Sequence, residues 1–118
     1  MTGFCVRVGL AAIAAGLLMG SSAAVAADAA KGKTLFTQKY GCYQCHGTEG
    51  QGSAITGPRL APNPMPYEAL SNFVRTSARE MPPYRVQILP DEDLQDIYAY
   101  LQSIKPSPDP KSIPLLNN

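Results

Sequence analysis

The sequence predicts an all-α fold of three main helices, and three observations carry that expectation. Apolar residues recur at helical spacing in Asp28 to Tyr40, Tyr67 to Ser77, and Asp91 to about Ser103–Lys105. Glycine- and proline-rich stretches separate these segments. A Cys-x-x-Cys-His run, Cys42-Tyr43-Gln44-Cys45-His46, lies between the first two without a βαβ pattern around it.

In the first segment Asp28 is placed to cap the helix, and Leu35 and Phe36 mark its apolar side. Gly32 lies one turn before Phe36 on that side. It has two readings: it admits a second helix at close range, or it is a tolerated surface glycine. Lys31, Lys33 and Lys39 read as a solvated face. Gly41 stops the helix. In the second segment Leu70, Phe73 and Val74 form the apolar side. Pro90 precedes the third, where Asp91, Glu92 and Asp93 suit the positive end of the helix dipole. There Leu94, Ile97, Tyr98 and Leu101 form the stripe, widened by Tyr100 and Ile104. From Pro106 to Asn118 four prolines predict a disordered or extended tail. Ile113, Leu115 and Leu116 give that tail a second reading as a docking segment.

Residues 1–27 read as a removable export signal. Arg7 is the lone charge, Val8 to Met19 is apolar, and either Ala24-Val25-Ala26 or Val25-Ala26-Ala27 suits a signal peptidase. The apolar run is short for a span of about 20 residues, although an uncleaved tether is the alternative. Export predicts a periplasmic protein with no stable membrane insertion after cleavage. The domain would then occupy residues 28–105. Removing Arg7 from the ten basic residues leaves nine, against nine acidic ones. That balance lacks the basic stripe that nucleic acid requires.

The Cys-x-x-Cys-His run is the attachment pattern of a c-type haem. Two thiols three positions apart can each add to one vinyl group of the same porphyrin, and the next histidine can give a nitrogen to iron. His46 is the chain's single histidine. Three other readings compete: a thioredoxin-like redox pair, half of a zinc site, or a structural disulfide. The first lacks its βαβ surround. The second lacks ligands, because Cys5 would leave with the signal. The third closes too short a loop to gain much.

The glycine-rich loop after His46 ends at Gly57-Pro58-Arg59-Leu60. The Pro58 carbonyl is placed to accept the second ring N–H of His46, which would fix the imidazole. Arg59 either pairs with a haem propionate or faces solvent. With one histidine, the partner on the far side of the iron is a methionine sulfur. Outside the signal the candidates are Met65 and Met81, 19 and 35 residues beyond His46. Met81 is favoured, because Met65 leaves little chain to pass around the ring. The remaining reading makes both methionines core filling and leaves the iron open. His/Met ligation suits a one-electron carrier and disfavours oxygen chemistry.

Taken together, Gly32 and Phe36, the run at 42–46, Gly57-Pro58-x-Leu60, Met81-Pro82 and Ile97-x-x-Tyr100-Leu101 resemble the small monohaem class I cytochrome c family. The resemblance spans Lys31 to about Ile104. It implies an all-α fold wrapped around one covalently bound haem c, with first and last helices crossing near Gly32, Phe36, Ile97 and Tyr100. Many relatives place a glycine between the Arg ending the second helix and the ligand Met, and Arg75 to Met81 has none. Two functions follow. One is a periplasmic electron carrier, a monomer between a donor dehydrogenase and an acceptor cytochrome or oxidase. The other is a cytochrome c subunit of a dehydrogenase or oxidoreductase complex. A gas- or redox-sensing module is a third reading and would need an open or labile sixth position.

Overall fold

A computed structural model of the chain describes residues 26–116. Most of the predicted signal, with Arg7 and Cys5, and the last two residues of the tail lie outside the described residues. The described residues form helices α1 (Ala29–Thr34), α2 (Tyr43–His46), α3 (Tyr67–Thr76) and α4 (Asp91–Ser103). The fold is all-α. The one extended pairing among the described residues is an isolated antiparallel bridge, Ser53 to Gly57.

α1 begins because the Asp28 carboxylate accepts the N–H groups of Ala30 (2.8 Å) and Lys31 (3.1 Å). Such bonds satisfy helix donors that have no partner within the helix. The predicted helix to Tyr40 is not one regular element. From Leu35 to Lys39 the chain winds more widely, and the Tyr40 N–H reaches back five residues to the Leu35 carbonyl at 2.9 Å. This π-type turn ends at Gly41, whose φ of +69° breaks the winding and turns the chain into the cysteine run.

α1 and its π turn pack across α4. At the crossing a Cβ on Gly32 would lie 1.9 Å from the Asp96 carbonyl oxygen, so the buried glycine is what allows contact. The surface-glycine reading is thereby excluded. Phe36, 1% exposed, sits against Tyr100 with ring centroids 5.7 Å apart. Leu35, Leu94, Ile97 and Leu101 complete this part of the core, and Leu70 and Val74 of α3 join it. Phe73, predicted on the buried side of α3, is half exposed. Tyr98 is half buried and meets Tyr67 edge-on, with centroids 5.4 Å apart.

One further expectation is corrected. Lys31 and Lys39 are not merely a solvated face. Lys31 Nζ lies 2.6 Å from Asp96 and 3.0 Å from Asp93, and Lys39 Nζ lies 2.8 Å from Asp93. Their stems are exposed but their ammonium groups reach carboxylates buried on α4. The tail is exposed along most of its length. It makes 3₁₀ turns at Pro110–Ser112 and Pro114–Leu116, the first capped by Asp109, whose carboxylate accepts the Lys111 N–H at 2.9 Å.

Candidate haem site

α2 is a single turn, and it does one thing for the site. The His46 N–H returns to the Cys42 carbonyl at 3.1 Å, which sets two thiols and an imidazole on one short coil. Cys42 is half buried against the core, Cys45 is exposed, and both thiols are free. Burial pushes the Cys42 thiol up to about 11, so at neutral pH it remains protonated.

His46 is 8% exposed. Its Nδ1 stands 2.8 Å from the Pro58 carbonyl oxygen. A carbonyl can only accept, so this bond requires the proton on Nδ1 and leaves the Nε2 lone pair free to bind a metal. The loop carrying Pro58 is tied back to α2 at two points and closed on itself at a third. Gly52 N–H donates to the His46 carbonyl (2.8 Å) and the Thr56 hydroxyl to the Cys45 carbonyl (2.7 Å), while Ser53 N–H donates to the Gly57 carbonyl within the loop (2.8 Å). Gly57 lies directly against the imidazole, since a Cβ there would stand 3.2 Å from His46 Cε1 and Nδ1.

Met81 is half buried at the edge of the core, whereas Met65 is 48% exposed. The Met81 loop is fastened through Tyr84. Tyr84 N–H donates to the Val74 carbonyl (2.9 Å), and Arg75 Nη1 donates to the Tyr84 carbonyl (2.7 Å). Tyr84 Oη donates to the Tyr40 carbonyl (3.1 Å), two residues before Cys42. Arg75 also pairs with Asp91 at the start of α4, at 2.7 Å. Arg59 is exposed.

Sequence reasoning missed Thr56, Gly57, Arg75 and Tyr84 as parts of the site. Gly57 and Arg75 had been noted as motif residues, but not for these contacts. Thr56 and Tyr84 gave no signal, because their hydrogen bonds cross 11 and 44 residues of sequence.

The donor set fits a haem. One imidazole presents an oriented lone pair, two unpaired thiols stand three residues apart, and the Met81 thioether sits on a fastened loop at the edge of the same core that Cys42 packs against. The zinc alternative finds no support: among the described residues no three His, Cys, Asp or Glu side chains converge as a metal site.

Comparison with known proteins agrees. The family described as "Cytochrome C oxidase, cbb3-type, subunit III" matches residues 27–101. The cytochrome bc1 complex cytochrome c subunit of Corynebacterium diphtheriae is 31% identical over 84 residues, covering 70% of this chain and 29% of that protein. The protein of the same name from Corynebacterium efficiens is 28% identical over 85 residues, covering 70% and 28%. The chain therefore spans less than a third of the length of these relatives. No solved structure matches. With well over half of its length matched, the chain belongs to the cbb3-type cytochrome c oxidase subunit III family of c-type cytochromes and is an electron carrier.

Proposed function

We propose that this chain is exported to the periplasm and carries one electron at a time on a single haem, bonded to Cys42 and Cys45 and ligated by His46 and Met81. The observation that carries the reading is the 2.8 Å bond from His46 Nδ1 to the Pro58 carbonyl, beside two free thiols at the required spacing. When bound, the haem supplies reversible Fe(III)/Fe(II) exchange of one electron, taken from a donor protein and given to an acceptor.

The chain's residues have distinct tasks in that reading. Pro58 holds the imidazole plane and makes His46 a stronger donor. The Met81 thioether would hold the haem as its second protein ligand, which would favour the reduced state and keep small ligands off. Tyr84 and Arg75 hold the loop that presents it. Cys42 and Cys45 make attachment permanent. Arg59 is a propionate partner at the exposed rim.

The test is direct. After denaturation and extraction with acidified organic solvent, the haem should stay on the polypeptide, with an intact mass of one chain plus one haem. Carbon monoxide should leave the reduced spectrum of the native protein unchanged. It should bind once Met81 is changed to Ala, but not after Met65→Leu. Extractable haem, or rapid carbon monoxide binding by the unaltered protein, would overturn this assignment.

A second reading is favoured by the relatives, both named as subunits of cytochrome bc1 complexes. In it the domain works docked on a larger redox complex. Leu115 and Leu116, 83% and 64% exposed at the end of the tail, would serve as the attachment segment. Co-purification with larger chains, lost on removal of residues 106–118, is the expected result.

A further inference from the structure

We infer that the chain is cut between Ala27 and Asp28, and that the ammonium group so created completes an ion cluster joining the first and last helices. The inference rests on the export reading and goes beyond it, because it selects the bond and gives the new terminus a structural task.

The cluster is short of one positive charge. Asp96, 7% exposed, accepts the Asp28 N–H on Oδ1 at 2.7 Å and Lys31 Nζ on Oδ2 at 2.6 Å. Asp93, 6% exposed, accepts Lys31 Nζ on Oδ1 at 3.0 Å. Its Oδ2 accepts Lys39 Nζ at 2.8 Å and the Tyr40 hydroxyl at 2.7 Å. The Asp28 carboxylate adds a third negative charge, engaged with the N–H groups of Ala30 and Lys31. Three carboxylates thus face two ammonium groups. The surplus negative charge is the exposed Asp28 carboxylate, beside two buried carboxylates that a further positive charge would help to offset.

Hydrolysis at Ala27–Asp28 supplies the missing charge. Water adds across the amide, the carboxylate stays on Ala27, and the Asp28 nitrogen becomes a primary amine, protonated at neutral pH. That nitrogen already lies 2.7 Å from Asp96 Oδ1. A hydrogen bond with charge on the acceptor alone becomes an ion pair with charge on both partners, and the cluster then holds three charges of each sign. The bond is reachable, because Ala26, Ala27 and Asp28 are all exposed and precede α1. A cut after Ala26 would leave the Asp28 nitrogen an amide and place the new charge one residue away from Asp96.

The exported holoprotein should therefore begin at Asp28 by N-terminal sequencing and intact mass. Its α-amine should titrate above the ordinary range of about 7.7–8.0 and return to that range in Asp96→Asn. A second holoprotein, exported with a removable tag whose cleavage leaves one glycine before Asp28, keeps the amide at that nitrogen. Its unfolding equilibrium constant should be larger by on the order of fivefold. A mature chain beginning at Ala27 or earlier within the cleavage region sinks the inference while leaving export standing. So does a chain beginning at Asp28 that is no more stable than the glycine-extended one and has an ordinary α-amine. Retention of the whole of residues 1–27 sinks both readings. Should Asp96→Asn fail to fold, the titration and the glycine comparison still decide.

Discussion

Gly32→Ala tests the helix crossing on which the fold depends. In an exposed helix this change would stabilise by about 1 kcal/mol, because alanine is the better helix former. Here the added Cβ would stand 1.9 Å from the Asp96 carbonyl oxygen, 2.4 Å from its carbon and 2.9 Å from the Ile97 nitrogen. Ordinary contact begins near 3.4 Å, so the helices must part by up to about 1.5 Å. All three obstacles are backbone atoms of α4, which cannot swing aside as a side chain could. Separation would loosen Phe36 from Tyr100 and draw Lys31 from Asp93 and Asp96. Overpacking of this kind costs about 1–3 kcal/mol, and more when the backbone must move. After the propensity gain, a net loss of about 2 kcal/mol is expected, or about 10 °C in the melting temperature of a domain this size. Thermal and denaturant unfolding of the holoprotein provide the assay. A variant as stable as the parent, or more so, would refute the crossing, since that is the sign an exposed glycine would give.

Three other changes test the remaining contacts. Hydrogen bonds from Lys39 and Tyr40 hold the Asp93 carboxyl well below the usual range; burial pushes Asp96 up, but its bonds from Lys31 and the Asp28 N–H outweigh this and leave it lowered. Groups with depressed folded values stabilise fully above the unfolded value of about 3.9 and lose that contribution as pH falls through the folded value; melting temperature should therefore fall below about pH 4, and Asp93→Asn should flatten that acid limb. Gly57→Ala brings a methyl to 3.0 Å from the Cys45 carbonyl oxygen and 3.2 Å from the imidazole; the expected outcome is a shifted reduction potential with a stability loss on the order of 1 kcal/mol, and an unchanged potential would count against Gly57 as a wall of the site. Tyr84→Phe removes the bond to the Tyr40 carbonyl, costing about 1 kcal/mol; carbon monoxide should then bind the reduced protein measurably, whereas an Ile97→Val variant should not show this, and identical behaviour of the two would mean that Tyr84 does not hold Met81.

What the sequence made legible follows from the range of each interaction. Leu94, Ile97 and Leu101 recur at the helical period, so α4 and its buried face could be read locally, and Asp28 announced its cap in the same way. The bond from His46 to Pro58 was also within reach, because a carbonyl and an imidazole 12 residues apart are brought together by one loop. Lys31 and Lys39 were misread because their carboxylates lie 65 and 54 residues away. Nothing local distinguishes a lysine reaching across a helix crossing from one in water. The π turn at Leu35–Lys39 was hidden for a related reason. Its composition suits an ordinary helix, and only tertiary packing can select the wider winding. Phe73 fits the apolar period of α3 yet is half exposed. Periodicity names the face of a helix and does not say how far the protein's own core extends beneath it.

The two segments proposed to hold the haem are tied to each other as well as to the core. On one side the loop of Thr56, Gly57 and Pro58 grips Cys45 and His46. On the other, Tyr84 ties the Met81 loop to Val74 of α3 and to Tyr40, just ahead of Cys42. Arg75 of α3 reaches both the Tyr84 carbonyl in that loop and Asp91 of α4. A shift of the methionine loop would therefore have to break bonds to α3 and to the segment entering the cysteine run at once. A haem held by His46 and Met81 would supply one-electron exchange, and the chain's part is to keep those two side chains in place. A frame tied in this way resists the loop displacements that would raise the cost of each transfer, and loosening it at Tyr84 should weaken the methionine bond before it unfolds the domain.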